Sequence, residues 1–169
     1  MNLKNFIRDV PDFPKEGILF RDITPLLGDK EAFSYAVTEL TQIIEKLKPD
    51  AIVAIESRGF VFGAPVAYEL GVPFIPVRKP GKLPFKVVSI EYELEYSSGT
   101  LEMHADAVIK GNRVVIVDDL LATGGTASGA VKLIECCGGI VAGFVFLVEI
   151  EALNGRKELR APVHTLLKY

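Results

Sequence analysis

RVVIVDDLLATGGTASG, residues 113–129, reads as a strand, an acidic pair and a glycine-hydroxyl loop that opens a helix. Val114 to Val117 is an unbroken run of β-branched residues, the pattern of a strand buried on both faces of a parallel sheet. The chain is expected to leave the sheet at Asp118 and Asp119. Thr123-Gly124-Gly125-Thr126 then supplies hydroxyls and backbone N–H groups free of bulky side chains, and the helix is expected to run on through Ala127 to Cys136. A helix N-terminus carries orphan donors and the positive end of the backbone dipole, so this loop is an anion site that suits a phosphate. Two carboxylates just upstream suit a partner with neighbouring hydroxyls or a hydrated cation. Phosphate and diol together describe a ribose 5-phosphate. No Lys-Ser or Lys-Thr follows the glycines, which excludes a Walker P-loop. Adjacent glycines also fit G-x-G-x-x-G poorly.

At 169 residues the chain is one domain by length, large enough to bury roughly two-thirds of its unfolded surface. Hydrophobic content of 49% and a mean hydropathy of +0.31 suit a covered sheet and leave room for an apolar subunit interface. A net charge of −3 makes no electrostatic case for nucleic acid. Cys136 and Cys137, adjacent on the predicted helix, are badly placed to bridge each other and read as small buried hydrophobes of a reducing compartment. His104 and His164 are isolated, so a zinc cluster is not expected. No apolar run approaches the ~18 residues of a membrane span, and MNLKNFIRDV lacks a signal-peptide core. A soluble, cytoplasmic protein with no membrane partner is expected.

Outward from the opening stretch, a short helix is predicted over Leu3 to Asp9. Helical spacing from Glu31 to Leu47 places Phe33, Ala36, Val37, Leu40, Ile43, Ile44 and Leu47 on one face, and Pro49-Asp50 stops it. Ala51 to Ile55 reads as a core strand, Phe60 to Leu70 as a helix, and Pro73 to Val77 as a further strand. Val88, Ile90, Tyr92, Leu94 and Tyr96 alternate with polar residues, which predicts a half-exposed antiparallel hairpin strand turning at Ser97-Ser98-Gly99. Residues 113–118, 126–137 and 140–149 form a strand-helix-strand unit closed by Gly138-Gly139. The alternation predicts an α/β protein: a doubly wound, mainly parallel sheet with helices on both faces and ligands above the carboxyl ends of its strands. The inserted hairpin, about 80–104, is the candidate lid.

Two more strand-to-helix or strand-to-loop turns fall at that end of the sheet. Glu56-Ser57-Arg58-Gly59 offers a planar guanidinium suited to pyrophosphate oxygens. Arg78-Lys79-Pro80-Gly81-Lys82 brings three cations within five residues. A second phosphate-bearing group on the same ligand explains both.

The 113–129 stretch resembles the 5-phosphoribosyl-1-pyrophosphate (PRPP) motif of the type I phosphoribosyltransferases. Phe13-Pro14, GILFRDITPLL (17–27), ESRGF (56–60), VRKPGKLP (77–84), LEY (94–96) and VDDLLATGGT (117–126) make the match closer, to the adenine-specific branch of that family, over nearly the whole chain. The resemblance implies the family fold, with residues 1–30 as a base-binding hood and 80–104 as a flexible lid on a single 1–169 domain. It implies transfer of phosphoribose from PRPP to N9 of adenine, giving AMP and pyrophosphate in purine salvage, with Mg²⁺ and a homodimer. Adenine falls between Phe20 and Ile150, with polar contacts from the backbone of Leu19 to Arg21. Glu56, Ser57, Arg58, Arg78, Lys79 and Lys82 fall to pyrophosphate, and Asp118 and Asp119 to the ribose hydroxyls. Ala122, Thr123, Gly124, Gly125 and Thr126 fall to the 5-phosphate. Glu95 and Tyr96 lie on the lid, Glu95 handling the purine proton. In this family the Glu56-Ser57 peptide is often cis. A phosphoribosyltransferase for another base, or a PRPP-sensing regulator without the chemistry, are the competing readings.

Overall fold

The computed structural model describes the whole chain apart from Glu95 and Tyr96, and the side chains of residues 93–97 are outside the description. A 3₁₀ turn at Leu3–Phe6 leads into β1 (Arg8–Val10), which pairs antiparallel with β2 (Phe20–Asp22). The helix expected through Asp9 therefore stops at Phe6: Arg8, Asp9 and Val10 are drawn into extended pairing with Asp22, Arg21 and Phe20. After α1 (Thr24–Gly28), Asp29 caps α2 (Lys30–Leu47) by accepting from the N–H groups of Glu31 and Ala32 at 3.0 and 2.9 Å. Lys48 closes α2 in the left-handed region before Pro49.

The body is a parallel sheet built from β3 (Ala51–Ile55), β4 (Phe74–Val77), β7 (Arg113–Leu121), β8 (Ile140–Glu149) and β9 (Val163–Lys168), in the order β4-β3-β7-β8-β9. Helix α3 (Arg58–Leu70) joins β3 to β4. The hairpin of β5 (Val87–Leu94) and β6 (Ser97–His104) precedes β7 (Arg113–Leu121). Helix α4 (Gly125–Cys136) then leads to β8 (Ile140–Glu149), and β9 (Val163–Lys168) completes the sheet. This is the doubly wound α/β architecture that the alternation predicts.

Strand periodicity divides the interior into two cores. Ile52, Val115, Val117, Val145 and Leu147 face α2 and α3. Their neighbours Val53, Ile55, Val114, Ile116, Phe144 and Phe146 face α4 and the hairpin. Leu101 and Met103 of β6 are buried in the second core. Extracting such side chains costs about 1.5–3 kcal/mol each, so a lid movement of the entire 80–104 segment would break core packing.

Three local expectations are corrected. β7 does not end at the acids: Asp118 pairs with Phe146, and Leu120 and Leu121 pair with Val148 and Glu149. Burial of Leu121 in the second core holds the strand beyond the carboxylates. Ser97, Ser98 and Gly99 belong to β6, opposite Leu94, Glu93 and Tyr92, rather than to the turn. Gly99 has no Cβ because the Tyr92 ring occupies the space where one would be, 2.5 Å from it. Cys136 is exposed and Cys137 half-buried, both unbridged, because the inward stripe of α4 runs through Ala130, Leu133 and Ile134.

Helix α3 rides on the sheet through Gly63, where an added Cβ would sit 2.6 Å from the Ala54 Cβ. Gly63→Ala is expected to cost about 1–3 kcal/mol, a fall of several degrees in a thermal melt, and Ala54→Gly should recover much of it. An unchanged melting temperature in the single variant would contradict this close packing.

Candidate active site

Three chain segments leave the carboxyl ends of neighbouring strands and meet. β3 runs through the cis peptide Glu56-Ser57 into α3, β4 runs into the Arg78–Lys82 loop, and β7 runs past the acid pair into the Ala122–Gly124 loop before α4. They enclose a cleft of about 590 Å³ lined by both polar and apolar groups.

The α4 side presents a helix N-terminus to the cleft. Gly124 is the N-cap, in the left-handed region at φ 86°, and no side chain caps the helix, so its first N–H groups are left for a ligand. Gly124 also meets the backbone of the 3₁₀ turn Gly155–Glu158: a Cβ there would lie 2.4 Å from the Gly155 carbonyl oxygen.

Opposite charges are already paired across the rest of the cleft. The Glu56 side chain is 6% exposed and accepts from Arg78 Nε at 2.7 Å, Lys82 Nζ at 2.5 Å and the Lys79 N–H at 3.3 Å. Burial pushes the Glu56 carboxyl up, but the Lys82 and Arg78 bonds outweigh it and hold the carboxyl below its usual range. Arg58 Nε lies 2.6 Å from Asp119 Oδ2, which leaves its two terminal nitrogens for other acceptors. Lys79 has no ion-pair partner among the described residues, and it lines the cleft.

Asp118 and Asp119 sit within β7 rather than at its end, and the Asp119 N–H donates to Asp118 Oδ1 at 2.9 Å. Burial, then the neighbouring Asp119 charge, raises the Asp118 carboxyl well above the usual range. Burial raises Asp119 as well, against the opposing pull of Arg58. Helix α3 can bring Arg58 so close because of Gly59, where a Cβ would meet Val117 O and Asp118 Oδ1 at 2.9 Å.

Glu56, Ser57, Arg58, Lys79, Lys82, Asp118, Asp119, Ala122, Thr123, Gly124 and Thr126 all line this cleft. Arg78 stands behind it, held by Glu56 and lying 5.9 Å from the Phe60 ring centroid. Gly125 opens onto an adjoining depression shared with Tyr92, Ser128 and Glu158. Leu19, Phe20, Arg21 and Ile150 lie outside the cleft lining. Phe20 is nonetheless adjacent, 5.5 Å from the Arg58 guanidinium, with Phe13 edge-on at 5.1 Å. Arg21 stacks 4.1 Å over the ring of Tyr169, and the backbone N–H of Tyr169 donates to the Glu149 carbonyl, next to Ile150. A chain of contacts thus ties Phe20-Arg21 to Glu149-Ile150. Glu95 and Tyr96 lie outside the described residues.

Several contributors carry no motif. Tyr92, Leu101 and Phe146 line the cleft, and Gly155 and Tyr169 support it. Tyr92 was legible only as an alternating strand residue, and neither Leu101 nor β9 with Tyr169 carried a signal of its own. Among the described residues no group of three His, Cys, Asp or Glu side chains could hold a metal by itself.

A sheet of this order, with an acid pair and an uncapped helix N-terminus at its carboxyl edge, defines a phosphoribosyl-transferring class, and residues 27–168 match the model of the phosphoribosyl transferase domain. The chain is 56% identical to the adenine phosphoribosyltransferase of Synechococcus over 100% of this chain and 99% of that one. A crystal structure of the enzyme from Thermoanaerobacter pseudethanolicus superposes with a TM-score of 0.96 at 56% identity, covering 99% and 98% of the two chains. The Saccharomyces cerevisiae enzyme, solved with adenine and an imino-altritol bisphosphate, gives 0.90 at 42% identity, covering 97% and 96%. The chain belongs to the adenine phosphoribosyltransferase family.

The raised Asp118 pKa has a thermodynamic sign. The folded state holds that proton more tightly than the unfolded chain, so its contribution to stability is full in acid and is lost as pH rises through the folded pKa. Asp118→Asn removes the cost of ionisation and keeps the acceptor for the Asp119 N–H. Thermal melts at pH 7.5 should find the variant at least as stable as the parent, with the difference shrinking toward acid pH. A variant clearly less stable at pH 7.5 would count against this.

Proposed function

We propose that this chain transfers the 5-phosphoribosyl group of PRPP to N9 of adenine, releasing pyrophosphate and forming AMP, a purine-salvage reaction. The observation that supports it most is the meeting, in one cleft, of an uncapped helix N-terminus, an acid pair and the Arg58 and Arg78–Lys82 cations, in a member of this family.

In this reading the 5-phosphate lies against the backbone of Ala122 to Thr126, and the ribose hydroxyls face Asp118 and Asp119. Arg58 stays on Asp119 through Nε and turns its terminal nitrogens to pyrophosphate, beside Lys79, Lys82 and the loop backbone at Ser57. Glu56 serves as the buried counter-ion that keeps Arg78 and Lys82 in place. As the bond at C1 breaks, positive charge grows on the ribose ring and negative charge on pyrophosphate. The carboxylates and the cations are fixed beforehand on the two sides, so little reorganisation is needed during reaction. Asp118 and Asp119 are hard-oxygen donors and too few to hold a metal alone, which fits Mg²⁺ carried largely by substrate oxygens and water. When bound there, the ion would supply charge neutralisation for the leaving group.

Adenine is read between Phe20 and Ile150. Among the described residues β2 has a strand neighbour on one side only, which leaves alternate backbone N–H and C=O groups along its other edge to read the purine. Glu95 is the proposed partner of the purine proton at N7, with Tyr96 beside it on the lid. The end of the hairpin beyond the anchored Leu101 and Met103 excludes water when closed. A cytoplasmic homodimer is proposed as the working state. The exposed outer positions Ala64 and Tyr68 of α3 support that helix as the interface. Sedimentation should show a dimer at assay concentration, and an active monomer would reject the interface.

Pyrophosphate release with PRPP and each purine tests the assignment. Adenine offers a donor at N6 beside an acceptor at N1, and hypoxanthine reverses both. Each buried mismatch costs about 1–3 kcal/mol, so kcat/KM should favour adenine by roughly 10²- to 10⁴-fold. Comparable values would reject the recognition scheme. Asp119→Asn should lower kcat by about 10²-fold or more while the protein stays folded; parental kcat would remove the acid pair from the mechanism.

A further inference from the structure

Glu149, the last residue of β8, is 4% exposed and carries a charge that the reaction described above does not use. Arg156 meets it with a two-pronged grip, Nε to Oε1 at 2.6 Å and a terminal nitrogen to Oε2 at 2.7 Å. The other terminal nitrogen of Arg156 donates to the Val163 carbonyl at 2.7 Å, and the Thr165 hydroxyl donates to Glu149 Oε2 at 3.0 Å. The Arg156 bonds, with help from Thr165, hold the Glu149 carboxyl below its usual range, so the pair stays charged through neutral pH. A planar guanidinium is needed for this: one ammonium cannot reach both carboxylate oxygens and the β9 carbonyl in fixed directions.

The residue before Arg156 is Gly155. A Cβ there would lie 2.2 Å from the Ala122 carbonyl oxygen and 3.0 Å from the Gly124 nitrogen. Backbone therefore packs directly on backbone, and the 3₁₀ turn Gly155–Glu158 forms the floor under the Ala122–Gly124 loop. Ion pair, turn and loop make one continuous contact from the end of β8 to the anion-binding edge of the cleft. The geometry points to Arg156, locked by Glu149, as a positioning residue that sets the shape of this loop and through it the affinity for the 5-phosphate group. The inference rests on the reading of residues 122–126 as the 5-phosphate cradle.

The test separates ligands that carry a 5-phosphate from those that do not. Parent, Arg156→Lys and the milder Thr165→Val are titrated with AMP, with pyrophosphate and with adenine, and KM for PRPP and melting temperature are measured alongside. Displacement of a binding loop from a distance can cost about 10²-fold. Arg156→Lys should weaken AMP and raise KM for PRPP by roughly 10- to 100-fold, while adenine and pyrophosphate stay within about twofold. Thr165→Val should move the same quantities in the same direction by less, and it carries the test should Arg156→Lys fail to fold. Equal weakening of all three ligands, in step with a fall in melting temperature, would mean a merely structural ion pair and overturn the inference. So would AMP binding at the parental level in both variants. A parent protein with no affinity for AMP would instead overturn the cradle reading itself.

Discussion

The first turn of α3 lies against β7 through Gly59, which puts no side chain of its own between them, and the cleft depends on that approach. At Gly59 any Cβ would be 2.9 Å from both the Val117 carbonyl and an Asp118 carboxylate oxygen. With the helix at this distance, Arg58 reaches Asp119 and lies beside the Phe20 ring. One backbone contact thus couples the β3 turn, the β7 acids and the N-terminal β1–β2 pair. Moving α3 outward by the width of a methyl group would separate groups that a single small substrate has to touch together. Gly124 and Gly155 repeat the device on the other side of the cleft, where two loops approach through bare backbone.

Charge follows the same economy of space. Four cations and three carboxylates crowd a small region, and the arrangement is tolerable because each carboxylate has a specific duty. Glu56 is shielded from solvent and satisfied by Arg78 and Lys82, so it orients cations rather than repelling an incoming anion. Asp119 is held by Arg58 from one side, whereas Asp118 has, among the described residues, only the Asp119 N–H and lies close to a second negative charge. Taking two adjacent carboxylates largely out of water costs stability, and in the proposed reaction that cost falls where a developing positive charge needs an anion. The hairpin is divided in a comparable way. Leu101 and Met103 anchor one strand in the core, and Tyr92 fills the space over Gly99 and against Gly129 of α4. Its base is scaffold.

Strand and helix identities were legible because hydrophobic periodicity is a local property. Ala51–Ile55 came out residue for residue, and α2 and α3 extend one and two residues earlier than their predicted starts. The loop proposed to hold the 5-phosphate was marked out for a similar reason: Thr123 to Thr126 keeps its hydroxyls and glycines within one short turn. What misled the local reading was pairing between distant segments. Asp9 looked helical until β2 claimed it, Asp118 looked like a strand end until β8 extended the ladder, and Ser97 to Gly99 looked like a turn until Tyr92 paired with Gly99.

By itself, then, the chain determined its α/β class, the order of its elements from α2 to β8, the residues that gather at the carboxyl edge of the sheet and its family resemblance, all of which are written in contiguous stretches. Only the tertiary structure decided which charge serves which. It assigned Glu56 to Arg78 and Lys82, Arg58 to Asp119, and Arg156 to Glu149, partners separated by 7 to 61 residues along the chain. It also placed Tyr169 under Arg21 and Gly155 under the Ala122–Gly124 loop. The reason is physical: an ion pair or a backbone contact depends on distance in space, and neither residue type nor spacing encodes that distance until the sheet has brought the segments together.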